Sequence, residues 1–217
     1  MNYEMMENNK VCLKGEVMSK PEFSHEVFGE GFYEFMLKVA RLSENYDIIP
    51  VTISEKLLGE DTMVGKTICI KGQFRSYNKL LDGKSKLLLT VFAREIVNSL
   101  DDENPNVAKI CGYVCKEPIY RTTPFGREIC DMLLAVNRAY NKSDYLPCIA
   151  WGRNARYIGN LSVGEKIDIT GRIQSREYQK RLDNGEVEIR TAYEISISKV
   201  NLATSNSKES PSTQELA

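Results

Sequence analysis

Duplication limits what this chain can fold into more than any other feature of its sequence. Gly15 and Pro21 recur as Gly112 and Pro118, 97 positions later. The same offset carries Leu37-Lys38-Val39-Ala40-Arg41 onto Leu134-Ala135-Val136-Asn137-Arg138, and Pro50 onto Pro147. Two inserted residues then move the offset to 99, where Val64-Gly65-Lys66 meets Val163-Gly164-Glu165 and Gly72-Gln73-Phe74-Arg75-Ser76 meets Gly171-Arg172-Ile173-Gln174-Ser175. A unit of about 100 residues is too long for a solenoid repeat and has the size of a domain with its own core. The expected organisation is an N-terminal domain over 1–98, a polar, acidic linker over 99–105 closing on Pro105, and a C-terminal domain over 106–202. Residues 203–217 are rich in Ser, Thr and Glu, lack the apolar side chains a core needs, and are expected to be a disordered tail.

Each copy reads as strands. Ile167, Ile169, Gly171 and Ile173 alternate with Asp168, Thr170, Arg172 and Gln174, and Leu146, Cys148 and Ala150 alternate with Tyr145, Pro147, Ile149 and Trp151. That period of two belongs to half-buried strands. Asp183-Asn184-Gly185 and Asp82-Gly83 signal hairpin turns. One helix is expected in the second half, from Gly152 to Leu161 with Asn154 as its cap, and a shorter counterpart in the first half from Ser54 to Leu58. About five strands, with a helix between the third and fourth, describe a small Greek-key barrel. The expected fold is therefore all-β, two tandem OB-folds with one short helix each.

Composition then removes whole classes of function. The chain is 42% hydrophobic and 27% charged with net charge −1, a globular balance. Its longest apolar runs, such as Met132–Val136, are far short of the ~20 residues that span a bilayer. Met1–Glu7 carries neither the basic nor the apolar stretch of a secretory signal, so a cytoplasmic protein without membrane attachment is expected. The six cysteines (Cys12, Cys69, Cys111, Cys115, Cys130 and Cys148) include no Cys-x-x-Cys pair, and His25 is the only histidine. Zinc ligation lacks donors, and a Ser-His-Asp or Cys-His catalytic set is poorly supplied. Reduced thiols, no metal, no cofactor and no catalytic activity are expected.

The outward residues of the second half point instead to binding. Tyr145, Trp151 and Tyr178 share the strand face opposite Leu146, Cys148, Ala150, Ile167, Ile169 and Ile173, together with Arg172 and Arg176. Flat rings between guanidinium groups suit unpaired nucleic-acid bases and their phosphates. Further cations gather at strand ends and loops: Arg121, Arg127, Arg138 and Lys142 around the first hairpin, Arg153 and Arg156 at the helix, and Lys180 and Arg181 before the last turn. Residues 1–104 hold 13 Lys+Arg against 17 Asp+Glu, whereas residues 105–203 hold 15 against 11. Binding should be salt-dependent and should need no base edges.

Gly112-Tyr113-Val114-Cys115-Lys116-Glu117-Pro118, Leu134–Arg138, Tyr145–Gly152, Gly164 and Gly171–Tyr178 together make the second half resemble bacterial single-stranded DNA-binding proteins of the tetrameric OB-fold family. The resemblance implies base stacking at four places, Tyr140, Tyr145, Trp151 and Tyr178, all aromatic here. The repeat offsets carry those places onto Ser43, Ile48, Ser54 and Lys79 in the first half, none of them aromatic. Tyr77 is an outward ring nearby and shares a face with Lys71, Arg75 and Lys79, which leaves room for some binding there. The copies have nonetheless diverged, the second reading as the nucleic-acid reader and the first more as a scaffold. The implied function is sequence-tolerant single-stranded DNA binding in replication, recombination or repair, with a homodimer bringing four OB-folds together. The family's acidic, hydrophobic tip is missing from Glu209–Ala217, which leaves recruitment of replication and repair proteins by that route unsupported. The acidic, ring-poor first half keeps a second reading open, a protein-interaction adaptor of primosome type to which nucleic acid is incidental.

Overall fold

The computed structural model describes residues 7–81, 83–99, 104–181 and 185–203. Residues 7–99 form six strands: β1 (Asn9–Val17), β2 (Glu22–Val27), β3 (Glu30–Ala40), β4 (Tyr46–Ser54), β5 (Thr67–Leu81) and β6 (Lys84–Val97). The second copy repeats them as β7 (Asn106–Val114), β8 (Ile119–Thr122), β9 (Glu128–Asn137), β10 (Ser143–Trp151), β11 (Lys166–Arg181) and β12 (Val187–Leu202), with α1 (Gly152–Ile158) between β10 and β11. The molecule is all-β, two OB-folds in tandem. Each has six strands where about five were expected, because a short exposed hairpin strand, β2 or β8, adds to the barrel.

The alternation that announced the strands also fills the barrels. Leu13, Leu37, Ile49, Ile70 and Phe74 are fully buried in the first, and Leu134, Leu146, Ile167, Ile173 and Ile195 in the second. Burying such a side chain is worth about 1.5–3 kcal/mol relative to leaving it exposed. The glycines that mark the repeat stand where backbones cross closely. A Cβ at Gly15 would come within 2.5 Å of the Lys38 carbonyl oxygen, and one at Gly112 within 2.7 Å of that of Ala135. In both copies a bulge interrupts the long hairpin at the next such glycine, Gly72 or Gly171.

Three local expectations change. The helix begins at Gly152 and ends at Ile158, with Trp151 at its N-cap position, so Asn154 lies inside it. The Asn154 amide donates instead to the Ser198 carbonyl at 3.0 Å, tying the helix to β12. The first copy's counterpart is a 3₁₀ turn, Glu55–Leu57, capped by the Ser54 hydroxyl. Ile149, outward by alternation, is buried at 5% exposure outside the main core. It lies two residues before Trp151, whose direct partner across β9 is the buried Ile129, so the indole shares its face with two covered isoleucines. The Asp82 and Asp183-Asn184 turn positions, most of the linker and the tail from Thr204 fall outside the described residues.

The two barrels join through β1 and β7, which pair antiparallel with Asn9 opposite Ile110, Val11 opposite Ala108 and Leu13 opposite Asn106. Because Asn106 is the repeat of Asn9, and Ile110 of Leu13, each copy presents the same repeat positions to the other about a local two-fold axis. Each strand thereby covers an edge that would otherwise offer unpaired backbone groups. Buried Asn9 exchanges two hydrogen bonds with the Phe74 backbone, at 2.7 and 3.0 Å. Asn106 does the same for Ile173, at 2.7 and 2.9 Å.

Candidate nucleic-acid interface

β10 and β11 carry three of the four predicted stacking residues. Tyr145 and Trp151 stand on one face of β10 at even spacing, each 42% exposed, and Tyr178 near the end of β11 is 39% exposed. Tyr140 lies in the turn before β10 with a positive φ of 61° and is 75% exposed. Partly exposed rings on a rigid sheet are already desolvated on one side, which lowers the ordering cost of stacking a base on the other. Tyr145 is fixed from behind as well, since its backbone N–H donates to the Ser76 hydroxyl of the first barrel at 2.7 Å. Tyr178 stands directly opposite Arg190, which bonds Glu188 through two nitrogens at 2.8 and 2.6 Å.

The cations divide into two groups. Lys142, Arg153, Lys180 and Arg181 are exposed, on the loop before β10, the start of α1 and the end of β11. Arg156 is exposed but pairs with Glu128 at 3.2 Å, and Arg176 lies 3.6 Å from Glu194. Arg138 and Arg172 serve the junction. Arg138 pairs at 3.1 Å with the buried Asp144, and Arg172 reaches across at 3.2 Å to the buried Asp47 of the first barrel. A guanidinium has five donors, so each can also meet a phosphate, but its position is set by a buried carboxylate.

Nothing local in the sequence announces that junction network. Asp47 accepts from Arg41 at 2.8 and 2.7 Å and from the Ser175 backbone at 2.7 Å. Its repeat, Asp144, accepts from Arg138 and, at 2.8 Å, from the Ser76 backbone. The offset of 97 relates Arg41 and Asp47 to Arg138 and Asp144, a signal present in the sequence but buried among many charged residues.

Burial pushes the Cys111 and Cys130 thiols up to about 11, which keeps them protonated at neutral pH. All six cysteines are free of disulfides. Among the described residues no three His, Cys, Asp or Glu side chains gather to hold a metal ion, and no helix is long and apolar enough to cross a membrane.

Residues 105–203 match the model of the single-strand binding protein family. That match spans the second barrel. Its relatives include single-stranded DNA-binding protein 1 of Staphylococcus aureus, 35% identical over 83 residues that make up 35% of this chain and 50% of that protein. The single-stranded DNA-binding protein of Clostridium tetani is 34% identical over 83 residues, 35% of this chain and 57% of that one. The chain thus spans about half the length of these curated relatives. As a fold, the likeness extends over both barrels. The crystal structure of the wild-type single-stranded DNA binding protein from Thermus aquaticus covers 93% of this chain and 96% of its own, with a TM-score of 0.73 and 18% identity.

Proposed function

We propose that this chain binds single-stranded DNA without reading its sequence, stacking unpaired bases on Tyr140, Tyr145, Trp151 and Tyr178. Phosphates are neutralised by the cations around those rings: Lys142, Arg153, Arg156, Arg176, Lys180 and Arg181, with Arg138 and Arg172 contributing the donors left over from the junction. One observation carries the reading. Tyr145, Trp151 and Tyr178 are half-exposed on the outer strand face of the barrel that matches the single-strand binding protein family, interleaved with guanidinium groups. Stacking tolerates any base because every base has a π-face, and phosphate contacts are indifferent to sequence.

The role this suits is non-catalytic coating of exposed strands during replication, recombination or repair in the cytoplasm. Residues 106–202 supply the reading surface and residues 1–98 a supporting barrel. Two chains associate as a homodimer, so that four barrels share one strand.

Trp151 is the only tryptophan, which makes its fluorescence a local probe. Titration with oligo-dT at low salt should quench it strongly and saturably, and high salt should reverse the quenching. Filter retention of the oligonucleotide without quenching would move the site off Trp151. Absence of binding by either method at low salt would overturn the proposal.

A further inference from the structure

The first barrel lacks rings at the four transposed stacking positions, yet it carries rings and cations where the second barrel has none. Phe32 faces Ser54 in register as Ile129 faces Trp151, and Phe92 faces Gln73 as Ser196 faces Arg172. Arg75 stands at the place of Gln174. Arg94 and Ser198 are the residues that the two matching bulges leave unpaired. All four differences replace a small, aliphatic or neutral side chain with an aromatic or a cation.

Phe32, Arg75 and Phe92 meet at a cleft of about 590 Å³ between the barrels, lined also by Lys79 of the first barrel and by Arg138 and Lys142 of the second, while Arg94 lies behind Phe92 in the neighbouring groove beside Gln73. The exposed His25 ring stacks on Phe32 with centroids 5.1 Å apart and planes 15° off parallel, and Phe32 lies 5.5 Å from Phe92. The Arg75 and Arg94 guanidinium carbons sit 4.2 and 4.9 Å from the Phe92 centroid. Both arginines donate to one neutral acceptor, Gln73 Oε1, Arg75 at 3.2 and 2.7 Å and Arg94 at 3.4 Å. Among the described residues no carboxylate forms an ion pair with either, and Asp144 is already held by Arg138. Burial, with Arg94 and Arg138 alongside, brings the Arg75 guanidinium down to about 10. Three clustered guanidinium groups thus share a single carboxylate, Asp144. Such an excess of cations is costly in a partly dry site, and a further anion beside them lowers that cost.

Resting on the strand-binding reading above, we infer that this cleft takes a nucleotide of the bound strand where it passes from the second barrel to the first, its phosphate between Arg75 and Arg138, with Arg94 adding charge from behind Phe92, and its base against the His25–Phe32 stack. Lys79 and Lys142 flank the path from opposite barrels. The first barrel is then a second place of attachment for the strand, built from different positions than those the second barrel uses.

The double variant Arg75→Gln/Arg94→Ser, which installs the residues of the second barrel, tests this. An oligo-dT of about 8 nucleotides fits one barrel, whereas one of about 30 can reach both. With the short strand, Trp151 quenching should be the same in variant and parent. With the long strand, the variant should bind about tenfold more weakly, and its slope of log affinity against log salt should be shallower by about 0.7 for each phosphate it no longer neutralises. In the parent, a long strand carrying 5-iodouracil should photo-crosslink to the segment from His25 to Phe32. Unchanged long-strand affinity and slope, with Trp151 still quenched, would overturn the cleft alone, as would crosslinks confined to the second barrel. Failure of the parent to bind either strand would overturn the strand-binding reading itself.

Discussion

Ser76 in the first barrel and Ser175 in the second make matching bonds across the junction, but the carboxylates they meet are unequally served. Asp47 accepts from Arg41, Arg172 and Ser175, so both of its oxygens are occupied. Asp144 has Arg138 and Ser76 on Oδ1, while its Oδ2 is buried without a hydrogen-bond partner. Two differences produce this: Arg41 grips both oxygens of Asp47 while Arg138 reaches only Oδ1 of Asp144, and Arg172, which serves Asp47, has as its repeat in the first barrel Gln73, whose oxygen turns to Arg75 and Arg94 instead. A shared backbone therefore holds both copies of the junction, while the side chains that need only one partner have diverged. The same holds for the outer faces, aromatic along β10 and β11 in one copy and along β3 and β6 in the other.

The largest test of this asymmetry is stability. Asp47→Ala strips a fully paired buried carboxylate from two arginines and should cost about 3–5 kcal/mol. Asp144→Ala removes a group whose charge is already penalised by burial and should cost about 1–3 kcal/mol. Urea unfolding of the two variants measures both; equal losses would mean that the unpartnered Oδ2 has no energetic weight. Next comes binding, where Trp151→Ala should weaken affinity by about 1–3 kcal/mol. Ser54→Ala, at the matching place in the first barrel, should leave affinity unchanged, and equal effects would erase the distinction between the β10 and β4 faces.

Arg172→Gln gives the second barrel the residue of the first and leaves Asp47 with Arg41 and Ser175. The Arg172 side chain is about one-third exposed, so the loss should be near 1 kcal/mol, read as a lowered thermal midpoint. The smallest expected effect is in pH. Burial raises the Asp144 carboxyl above its ordinary value, with the Ser76 N–H and Arg138 pulling the other way. The folded chain then binds this proton before the unfolded chain does, so ∂ΔG/∂pH is negative for this group. Its destabilising contribution is present above the folded pKa and fades as pH falls toward the unfolded value near 3.9. Asp144→Asn should lack that gain on acidification, and unfolding curves from neutral pH down to about 4 would show whether it does.

Much of the fold is legible along the chain because strands advertise themselves. Leu146, Cys148 and Ala150 face the core and Tyr145 and Trp151 face outward, as a period of two requires. Asn154 misleads because capping preference is a local bias of about 1 kcal/mol, and a bond to Ser198 on a neighbouring strand outweighs it. Arg172 looks like a surface cation because the carboxylate it meets, Asp47, is 125 positions away, and Arg138 because a spacing of six to Asp144 does not reveal that this carboxylate is buried at the junction. Phe92 does not show at repeat offsets of 97 and 99, because pairing in the long hairpins relates it to Ser196 at 104.

The sequence alone determined the number of barrels, their strand faces and the exposed rings of the second copy, since periodicity and duplication are properties of order along the chain. Tertiary structure alone decided how the barrels meet, which arginines are held by buried Asp47 and Asp144, and where His25, Phe32, Arg75 and Phe92 come together with Arg138. Those juxtapositions join residues separated by up to 128 positions, as Asp47 and Ser175 are. They arise from pairing β1 with β7, a choice of edges that alternation and propensity leave open.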